Sequence, residues 1–327
     1  MEGAEVLEIP LSSVSGRQYR NPVYDGYFAD PFVLRCGDRY LAYGTGSVVD
    51  GLYFEVLEST DLVNWRRVGG ALQPVAPDLG VDYWAPEVVF DEGRFWMYYS
   101  VGFGDAGHHL RVAVADAPEG PFVDQGVDLT PHELFAIDPH PFLDEDGNWF
   151  LFYARDVLEA PRVGTQLAVD VMPTMTSLAQ QPRVVVEPTA DWQIFQRSRP
   201  MYGGVYDWHT IEGPTVKYHA GRYYCLYSAG SWLNESYAVA WAVAPGPLGP
   251  WTEPGGGRGR LLATIPGKVT GPGHNSIVTT PGSTDMLVYH AWDASGERRQ
   301  MWIDPLHWTD QGPFTAGPCW QEQPLPD

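Results

Sequence analysis

The chain has 327 residues, of which 44% are hydrophobic and 19% are charged. This balance excludes intrinsic disorder or a coiled coil as the main state. The formal net charge of −21 repels phosphate backbones and anionic lipid surfaces, so neither nucleic acid nor a membrane is expected as a partner. The 36 glycines and 29 prolines, scattered without a period, favour many short strands joined by tight turns.

The first twenty residues contain three glutamates and lack the apolar run of a signal segment. We therefore expect a cytoplasmic protein, or a secreted one if a signal has been trimmed. Cys36, Cys225 and Cys319 are isolated and share no C-x-x-C spacing. Neither a disulfide framework nor a zinc site is indicated, and buried hydrophobic positions are expected for them.

A glycine turn followed by an aromatic strand recurs along the chain. Gly37-Asp38-Arg39-Tyr40 is the first copy, and later copies follow at intervals of 54 to 74 residues. The glycines that start the five copies are Gly37, Gly93, Gly147, Gly221 and Gly282. Each interval is the right length for one four-stranded propeller blade. The sequence thus predicts an all-β, five-bladed β-propeller in which residues 1–327 form a single catalytic domain.

A titratable residue precedes the turn glycine of each copy by six to nine positions. These residues are Asp30, Glu87, Asp138, Glu212 and His274. The first strand of every propeller blade lines the central channel, so equivalent positions on those strands converge near the axis. Local turn preference explains any one of these residues, and a wet structural channel is the alternative for all five. Their shared phase with the repeat favours a functional cluster of carboxyl groups.

These motifs resemble glycoside hydrolase family 43. The resemblance extends from about Tyr24 to Trp308, and the motifs that carry it are Ala29-Asp30-Pro31, Trp84-Ala85-Pro86-Glu87, Ile137-Asp138-Pro139, Ile211-Glu212-Gly213-Pro214 and Gly271-Pro272-Gly273-His274. Members of that family are five-bladed propellers that hydrolyse β-xylosides and α-L-arabinofuranosides with inversion. The resemblance implies that Asp30 is the general base, Asp138 modulates a pKa, and Glu212 is the general acid.

The chemistry of inversion agrees with these roles. It requires a protonated carboxyl group and an ionised carboxylate about 6.5–9.5 Å apart, so that a water molecule fits between the carboxylate and the sugar. Carboxyl groups on different blades around a channel meet that requirement. A negative charge at Asp138 is the expected means of keeping Glu212 protonated, and an arginine near Asp30 would keep Asp30 ionised.

Further site residues are implied by the same resemblance. Trp84 is expected to stack on the sugar ring, and the other candidates for substrate binding are Phe54, Glu87, Ile137 and Arg298. A core position is the alternative for Phe54, and the neighbouring Arg299 is the alternative to Arg298. His274 is expected beside a calcium ion in the channel, where a hydrogen-bonded core histidine is equally compatible with the sequence. No organic cofactor is expected.

The third interval of the repeat is about twenty residues longer than its neighbours, between Arg155 and Tyr206. An insertion there is expected to wall off the channel mouth and form a pocket for chain ends. The predicted function is therefore exo-hydrolysis of terminal β-D-xylosyl or α-L-arabinofuranosyl residues from xylo- or arabino-oligosaccharides. The alternatives are an endo-1,5-α-L-arabinanase and a non-catalytic carbohydrate-binding propeller. The sequence motifs of β-fructosidases do not occur in the chain.

Overall fold

The structure is a computed structural model that describes residues 14–255 and 259–327. Residues 1–13, which contain most of the stretch considered for a signal segment, lie outside the described residues. The part of the chain that is described forms 22 strands and one short 3-10 helix. No helix within it has the length and apolar character needed to span a bilayer.

The strands follow one another as antiparallel blades, with one short strand at each end of the described chain. After β1 (Val14–Tyr19), blade 1 contains β2 (Ala29–Cys36), β3 (Arg39–Thr45), β4 (Tyr53–Ser59) and β5 (Arg66–Leu72). Blade 2 contains β6 (Asp82–Asp91), β7 (Arg94–Phe103), β8 (Ala106–Ala115) and β9 (Val123–Asp128). Blade 3 contains β10 (Ala136–Leu143), β11 (Trp149–Val157), β12 (Gly164–Met172) and β13 (Arg183–Val186).

The second half of the chain begins with the predicted insertion. It contains the 3-10 helix (Asp191–Gln193) and β14 (Ile194–Met201), which pairs with the start of a long strand. That strand, β15 (Gly204–His219), opens blade 4 and is followed by β16 (Arg222–Ala229) and β17 (Ala238–Ala244). Blade 5 contains β18 (Thr270–Thr279), β19 (Asp285–Trp292), β20 (Arg299–Thr309) and β21 (Gly312–Phe314), and β22 (Gln323–Pro326) follows it.

The glycine turns lie between the first and second strands of the blades, as the repeat predicts. Gly37, Gly93, Gly147 and Gly221 have φ between 66° and 83°, a region that a residue without a Cβ enters at little cost. In the fifth copy the left-handed position is occupied by Ser283, with φ of 64°, rather than by Gly282. The aromatic strand therefore follows the turn even in the degenerate copy.

Five hydrophobic clusters hold the blades together in a ring. Each cluster combines buried side chains of two neighbouring blades, and the five clusters cover the blade pairs 1–2, 2–3, 3–4, 4–5 and 5–1. Because the last pair joins blade 5 to blade 1, the ring is closed and the five-bladed propeller is confirmed. The first strands β2, β6, β10, β15 and β18 contact one another around the axis.

The ring is also closed by polar contacts from the segment that follows β1. The buried Asn21 side chain donates to the Ile303 carbonyl at 2.7 Å and accepts from the Ile303 amide at 2.9 Å. The Asn21 amide nitrogen is also 3.0 Å from the carbonyl oxygen of Cys319. In addition, β1 pairs with β22. These bonds fix the chain before blade 1 to the third strand of blade 5.

We predict that Asn21→Ala lowers the free energy of unfolding by about 1–3 kcal/mol, because buried backbone groups of Ile303 lose their partner. Urea unfolding followed by tryptophan fluorescence measures the change. Gln181→Ala, at an exposed position, is the control and is expected to change stability by about 0.5 kcal/mol or less. Equal stability of the two variants would contradict a closing role for Asn21.

Candidate active site

A bulge interrupts the first strand of every blade at the same end of the ring. The pairing register shifts between Ala29 and Phe32 in blade 1, and corresponding shifts occur in β6, β10, β15 and β18. One residue in each bulge has φ between 48° and 58°: Asp30, Ala85, Asp138, Gly213 and His274. A bulge bends its strand and redirects a side chain, so the five bulges aim equivalent positions at the channel.

The bulges correct the predicted alignment in two blades. The positions equivalent to Asp30 are Ala85 in blade 2 and Gly213 in blade 4, rather than Glu87 and Glu212. Glu212 immediately precedes its bulge residue and still reaches the cavity. The expectation that Glu87 binds substrate is wrong, because Glu87 does not line the cavity and its Oε2 is 2.7 Å from His140 Nδ1.

A cavity of about 400 Å³ lies at the bulged end of the channel. Of the residues predicted to form the site, those that line the cavity are Asp30, Trp84, Ile137, Asp138, Glu212 and His274. The cavity is within the range of roughly 300–1,000 Å³ that is typical of small-molecule sites. The structure therefore brings the three predicted catalytic carboxyl groups to one cavity.

One arginine and two histidines surround the Asp30 carboxylate. Its Oδ1 is 3.3 Å from Arg299 Nη1 and 3.4 Å from Nδ1 of both His274 and His290. Burial acts to raise the pKa of Asp30, but these neighbours outweigh burial and hold the pKa below its usual range. Burial lowers the pKa of both histidines, so the Arg299 guanidinium is the positive charge that persists at neutral pH. Asp30 is thus ionised.

The choice of Arg298 as the site arginine is wrong. Arg298 lies in the turn before β20, where half of its side chain is exposed and its Nε donates to Asp293 at 3.1 Å. Arg299 is the first residue of β20 and is buried, and its guanidinium bonds Tyr27 and lies 4.6 Å from the centre of the Trp232 ring. Adjacent residues point in opposite directions as the strand begins, so only one of the two arginines reaches the cavity.

Asp138 and Glu212 form a buried pair of carboxyl groups. Asp138 Oδ2 accepts a bond from the Gly213 amide at 2.9 Å, and the Tyr237 hydroxyl donates to Glu212 Oε1 at 2.7 Å. Burial raises the pKa of Glu212 to about 7, and burial together with the charge of Glu212 raises the pKa of Asp138. Because two anions so close together are unfavourable, the pair holds a proton near neutral pH.

Of the two aromatic residues predicted to bind the sugar, one lines the cavity and the other lies in the hydrophobic core. Trp84 lines the cavity and stacks on His108, with ring centres 3.8 Å apart and an interplanar angle of 19°. The expectation for Phe54 is wrong, because only 2% of its surface is exposed and its ring packs edge-on against Tyr83 and Tyr99 in the core between blades 1 and 2. Tyr53, one position earlier, lines the cavity instead.

The surroundings of His274 do not form a metal centre made of protein ligands. Calcium prefers six to eight oxygen ligands, and the described residues bring together no group of three His, Cys, Asp or Glu side chains able to hold a metal. His274 Nδ1 instead faces the carboxylates of Asp30 and Asp138, at 3.4 and 3.9 Å. A calcium ion at His274 stays a prediction, and no catalytic step below uses it.

Two residues that contact the carboxyl groups are not revealed by any pattern in the sequence. Tyr237 and His290 contact Glu212 and Asp30 directly. The Asp30 amide donates to His290 Nδ1 at 3.1 Å, so the neutral imidazole carries its proton on Nε2. Both residues lie outside the first strands of the blades, in segments where no motif marks them. Only the fold, which places these segments behind the bulges, identifies them.

The insertion forms part of the cavity wall. Phe195, Arg199 and Met201 of β14 line the cavity, next to Asp156 of β11 and Thr165 of β12. Arg199 Nη2 is 2.6 Å from Oδ2 of Asp105, which lies in the turn between β7 and β8 of blade 2. The ion pair thus joins the insertion to blade 2. Burial raises the pKa of Asp156 to about 6.

Comparisons with known proteins agree with this fold and site. The model of Glycosyl hydrolases family 43 matches residues 19–314. The beta-D-galactofuranosidase xynD of Aspergillus niger is 26% identical over 92% of this chain and 85% of that protein. The extracellular endo-alpha-(1->5)-L-arabinanase 1 of Bacillus subtilis is 26% identical over 87% of this chain and 86% of that protein. A crystal structure of a thermostable family-43 glycoside hydrolase has a TM-score of 0.84 and 33% identity, covering 94% of this chain and 99% of the other.

The family match spans nearly all of the described residues and includes the three carboxyl groups in the cavity. The protein is a glycoside hydrolase with the propeller fold. The chain belongs to glycoside hydrolase family 43, as the resemblance of its motifs predicts.

We predict that Arg299→Gln lowers kcat/KM about tenfold to a hundredfold, because a hydrogen bond to a charged group contributes about 1.5–3 kcal/mol. Loss of the guanidinium also raises the pKa of Asp30, so the acidic limb of the pH profile moves to higher pH. Steady-state kinetics between pH 4 and 9 measure both effects. Arg298→Gln, the matched control, is expected to leave both unchanged, and equal losses in the two variants would contradict the assignment.

Proposed function

We propose that the protein is an inverting exo-glycosidase that removes terminal β-D-xylosyl or α-L-arabinofuranosyl residues from oligosaccharides. One observation carries the mechanism: a carboxylate kept ionised by an arginine and a carboxyl pair that retains a proton lie in the same cavity. Inverting hydrolysis requires these two protonation states together.

In this mechanism Asp30 is the general base and Glu212 is the general acid. Asp30 takes a proton from a water molecule as the water attacks the anomeric carbon. Glu212 gives its proton to the glycosidic oxygen as the bond to the leaving sugar breaks. Tyr237 holds Glu212 through the 2.7 Å bond to Oε1. Asp138 and Glu212 retain one proton as a pair, in which burial raises the pKa of Glu212 to about 7. Trp84 presents an aromatic face to the sugar ring.

The walls of the cavity support action at chain ends. The insertion contributes Phe195, Arg199 and Met201 to the wall, and the Arg199 guanidinium spans to Asp105 of blade 2. Asp105 and Arg199 both line the cavity, so this ion pair joins the insertion to blade 2 at the site. A connection at this position leaves less room for a continuous polymer than for a chain end.

The choice of sugars rests on the relatives and on the chemistry of the two sugars. Further relatives are described as an exo-arabinofuranosidase and as xylosidase/arabinosidases. Terminal β-D-xylose and α-L-arabinofuranose can present their anomeric carbons similarly, and one missing or added group changes transition-state binding by only about 1–3 kcal/mol. Both activities are therefore expected in this one site. Because one relative is an endo-arabinanase, internal cleavage of arabinan is the alternative activity, and the products of hydrolysis distinguish the two.

We predict that Asp30→Ala and Glu212→Ala each lower kcat about 10²–10⁴-fold, since each change removes a proton-transfer group. Hydrolysis of 4-nitrophenyl β-D-xyloside and α-L-arabinofuranoside measures the loss, with circular dichroism to verify folding. Asp304→Asn is the control, because Asp304 is also a buried carboxyl group but does not line the cavity. Turnover near that of the unaltered enzyme in either alanine variant would exclude that residue as acid or base.

We predict that Asp138→Asn moves the basic limb of the kcat/KM profile to lower pH. In the unaltered protein, losing the last proton of the pair creates two adjacent anions, which raises the pKa of that step. With a neutral amide at position 138, Glu212 loses its proton without this repulsion and at lower pH. A pH series with nitrophenyl substrates measures the limb, and an unchanged limb would remove Asp138 from the proposed role.

We predict that xylotriose and arabinotriose release monosaccharide from the non-reducing end, with the disaccharide as the other first product. Chromatography of early time points identifies the products. Polymeric arabinan cut rapidly into long fragments, with little monosaccharide, would favour the endo-arabinanase instead. Binding of the oligosaccharides without any turnover would favour a non-catalytic carbohydrate-binding propeller.

A further inference from the structure

A fourth acidic side chain, Asp156, lines the cavity and has no part in the mechanism above. It lies near the end of β11 in blade 3, and 6% of its surface is exposed. Its Oδ1 accepts a bond from the Thr165 hydroxyl at 2.8 Å, and its Oδ2 accepts one from the Tyr202 hydroxyl at 2.8 Å. Asp156 is therefore held in one orientation by two neutral donors.

These contacts leave the Asp156 carboxylate with unused acceptor capacity. A carboxylate has about four acceptor sites, and the two hydroxyl donors occupy one on each oxygen. In the described part of the chain Asp156 forms no ion pair, and the nearby Arg199 guanidinium pairs with Asp105 instead. Sugar hydroxyl groups are suitable donors for the remaining sites, since hydrogen bonds to an ionised acceptor are stronger than those between neutral groups.

The strand register places Asp156 on the side of the cavity where Glu212 lies. Asp156 is opposite Thr165 in the β11–β12 pair, and Thr165 is opposite Thr210 in the β12–β15 pair. All three residues line the cavity. Thr210 is two positions before Glu212 on β15, and residues two apart point to the same face of a strand. A row of side chains thus leads from Glu212 to Asp156.

The close approach of β12 to β15 fixes this row. Gly164 is opposite His209 in the parallel pair, and a Cβ on Gly164 would overlap the His209 carbonyl. Glycine at position 164 therefore allows the two strands to run side by side. The separation between Asp156 and the β15 face is set by backbone pairing rather than by flexible side chains.

We propose that Asp156 binds hydroxyl groups of the leaving sugar and makes the enzyme select oligosaccharides over glycosides with other leaving groups. This inference rests on the proposed function, because the general acid defines which side of the cavity the leaving group occupies. Glu212 protonates the glycosidic oxygen, so the departing sugar lies beside Glu212 and along the row that leads to Asp156. Thr165 and Tyr202 act as positioning residues that orient the carboxylate.

The test compares two leaving groups on the same terminal sugar. Xylobiose has a leaving sugar with hydroxyl groups, whereas 4-nitrophenyl β-D-xyloside has a leaving group without them. For Asp156→Asn, we expect the ratio of kcat/KM for xylobiose to kcat/KM for the nitrophenyl substrate to fall tenfold or more. Arabinobiose and 4-nitrophenyl α-L-arabinofuranoside form the second substrate pair. A general structural defect lowers both values and leaves the ratio unchanged.

Two further variants complete the test. Tyr202→Phe keeps the Asp156 side chain but removes one of its positioning bonds, and a smaller fall in the same ratio is expected. Asp304→Asn is the matched control, because Asp304 is a buried aspartate that accepts a tyrosine hydroxyl, from Tyr289 at 2.6 Å, and does not line the cavity. Its ratio is expected to stay at the value of the unaltered enzyme.

The outcomes separate this inference from the proposed function. If the unaltered enzyme hydrolyses both kinds of substrate but neither Asp156→Asn nor Tyr202→Phe changes the ratio, the role of Asp156 is wrong and the proposed function stands. An equal fall in Asp304→Asn would also overturn it. If the unaltered enzyme hydrolyses none of the four substrates, the proposed function fails and the inference fails with it.

Discussion

The active site depends on where one guanidinium lies among three buried carboxyl groups. An isolated charge is costly away from water unless it is paired. Arg299 pairs with Asp30 and keeps it ionised, while Asp138 and Glu212 have no comparable cation and retain a proton between them. The difference between the proposed base and the proposed acid thus follows from the position of a single positive charge.

The ring supplies the geometry that this charge distribution requires. Each first strand contains a bulge, and in four blades the bulge residue is not glycine although its φ is positive. Such a backbone costs about 1–3 kcal/mol at each position and persists only where the surrounding structure enforces it. The clusters between neighbouring blades and the contacts of Asn21 provide that enforcement. Stability of the ring and chemistry at its axis are therefore connected.

Much of the fold was predictable because its signals are local and repeated. Glycine turns followed by aromatic strands identify five blades, and the residue before each proline identifies Asp30 and Asp138. Which of two adjacent residues faces the cavity depends on where the strand begins, so the sequence does not distinguish Arg299 from Arg298. The prediction that Phe54 binds substrate is wrong because an aromatic residue suits a hydrophobic core as well as a sugar site.

Other parts of the site depend on contacts between distant segments, and no local signal reveals them. His290 of blade 5 contacts Asp30 of blade 1 only after the ring has closed, and Tyr237 contacts Glu212 across 25 positions within blade 4. Glu87 shows the converse case, because its motif predicts a substrate-binding residue but its side chain bonds His140 and does not line the cavity. Sequence phase alone does not distinguish a residue at the cavity surface from one directly behind it.

The two ion pairs at the cavity differ in their contact with solvent. Asp30 and Arg299 are both about nine-tenths buried, whereas Asp105 at the rim is 73% exposed. Dissolved ions screen exposed charges within about 8 Å at physiological ionic strength and affect buried pairs much less. Rising salt therefore weakens the ion pair between Arg199 and Asp105, which joins the insertion to blade 2, more than the ion pair between Arg299 and Asp30. The wall of the cavity and the ionisation of Asp30 thus respond differently to the ionic strength of the medium.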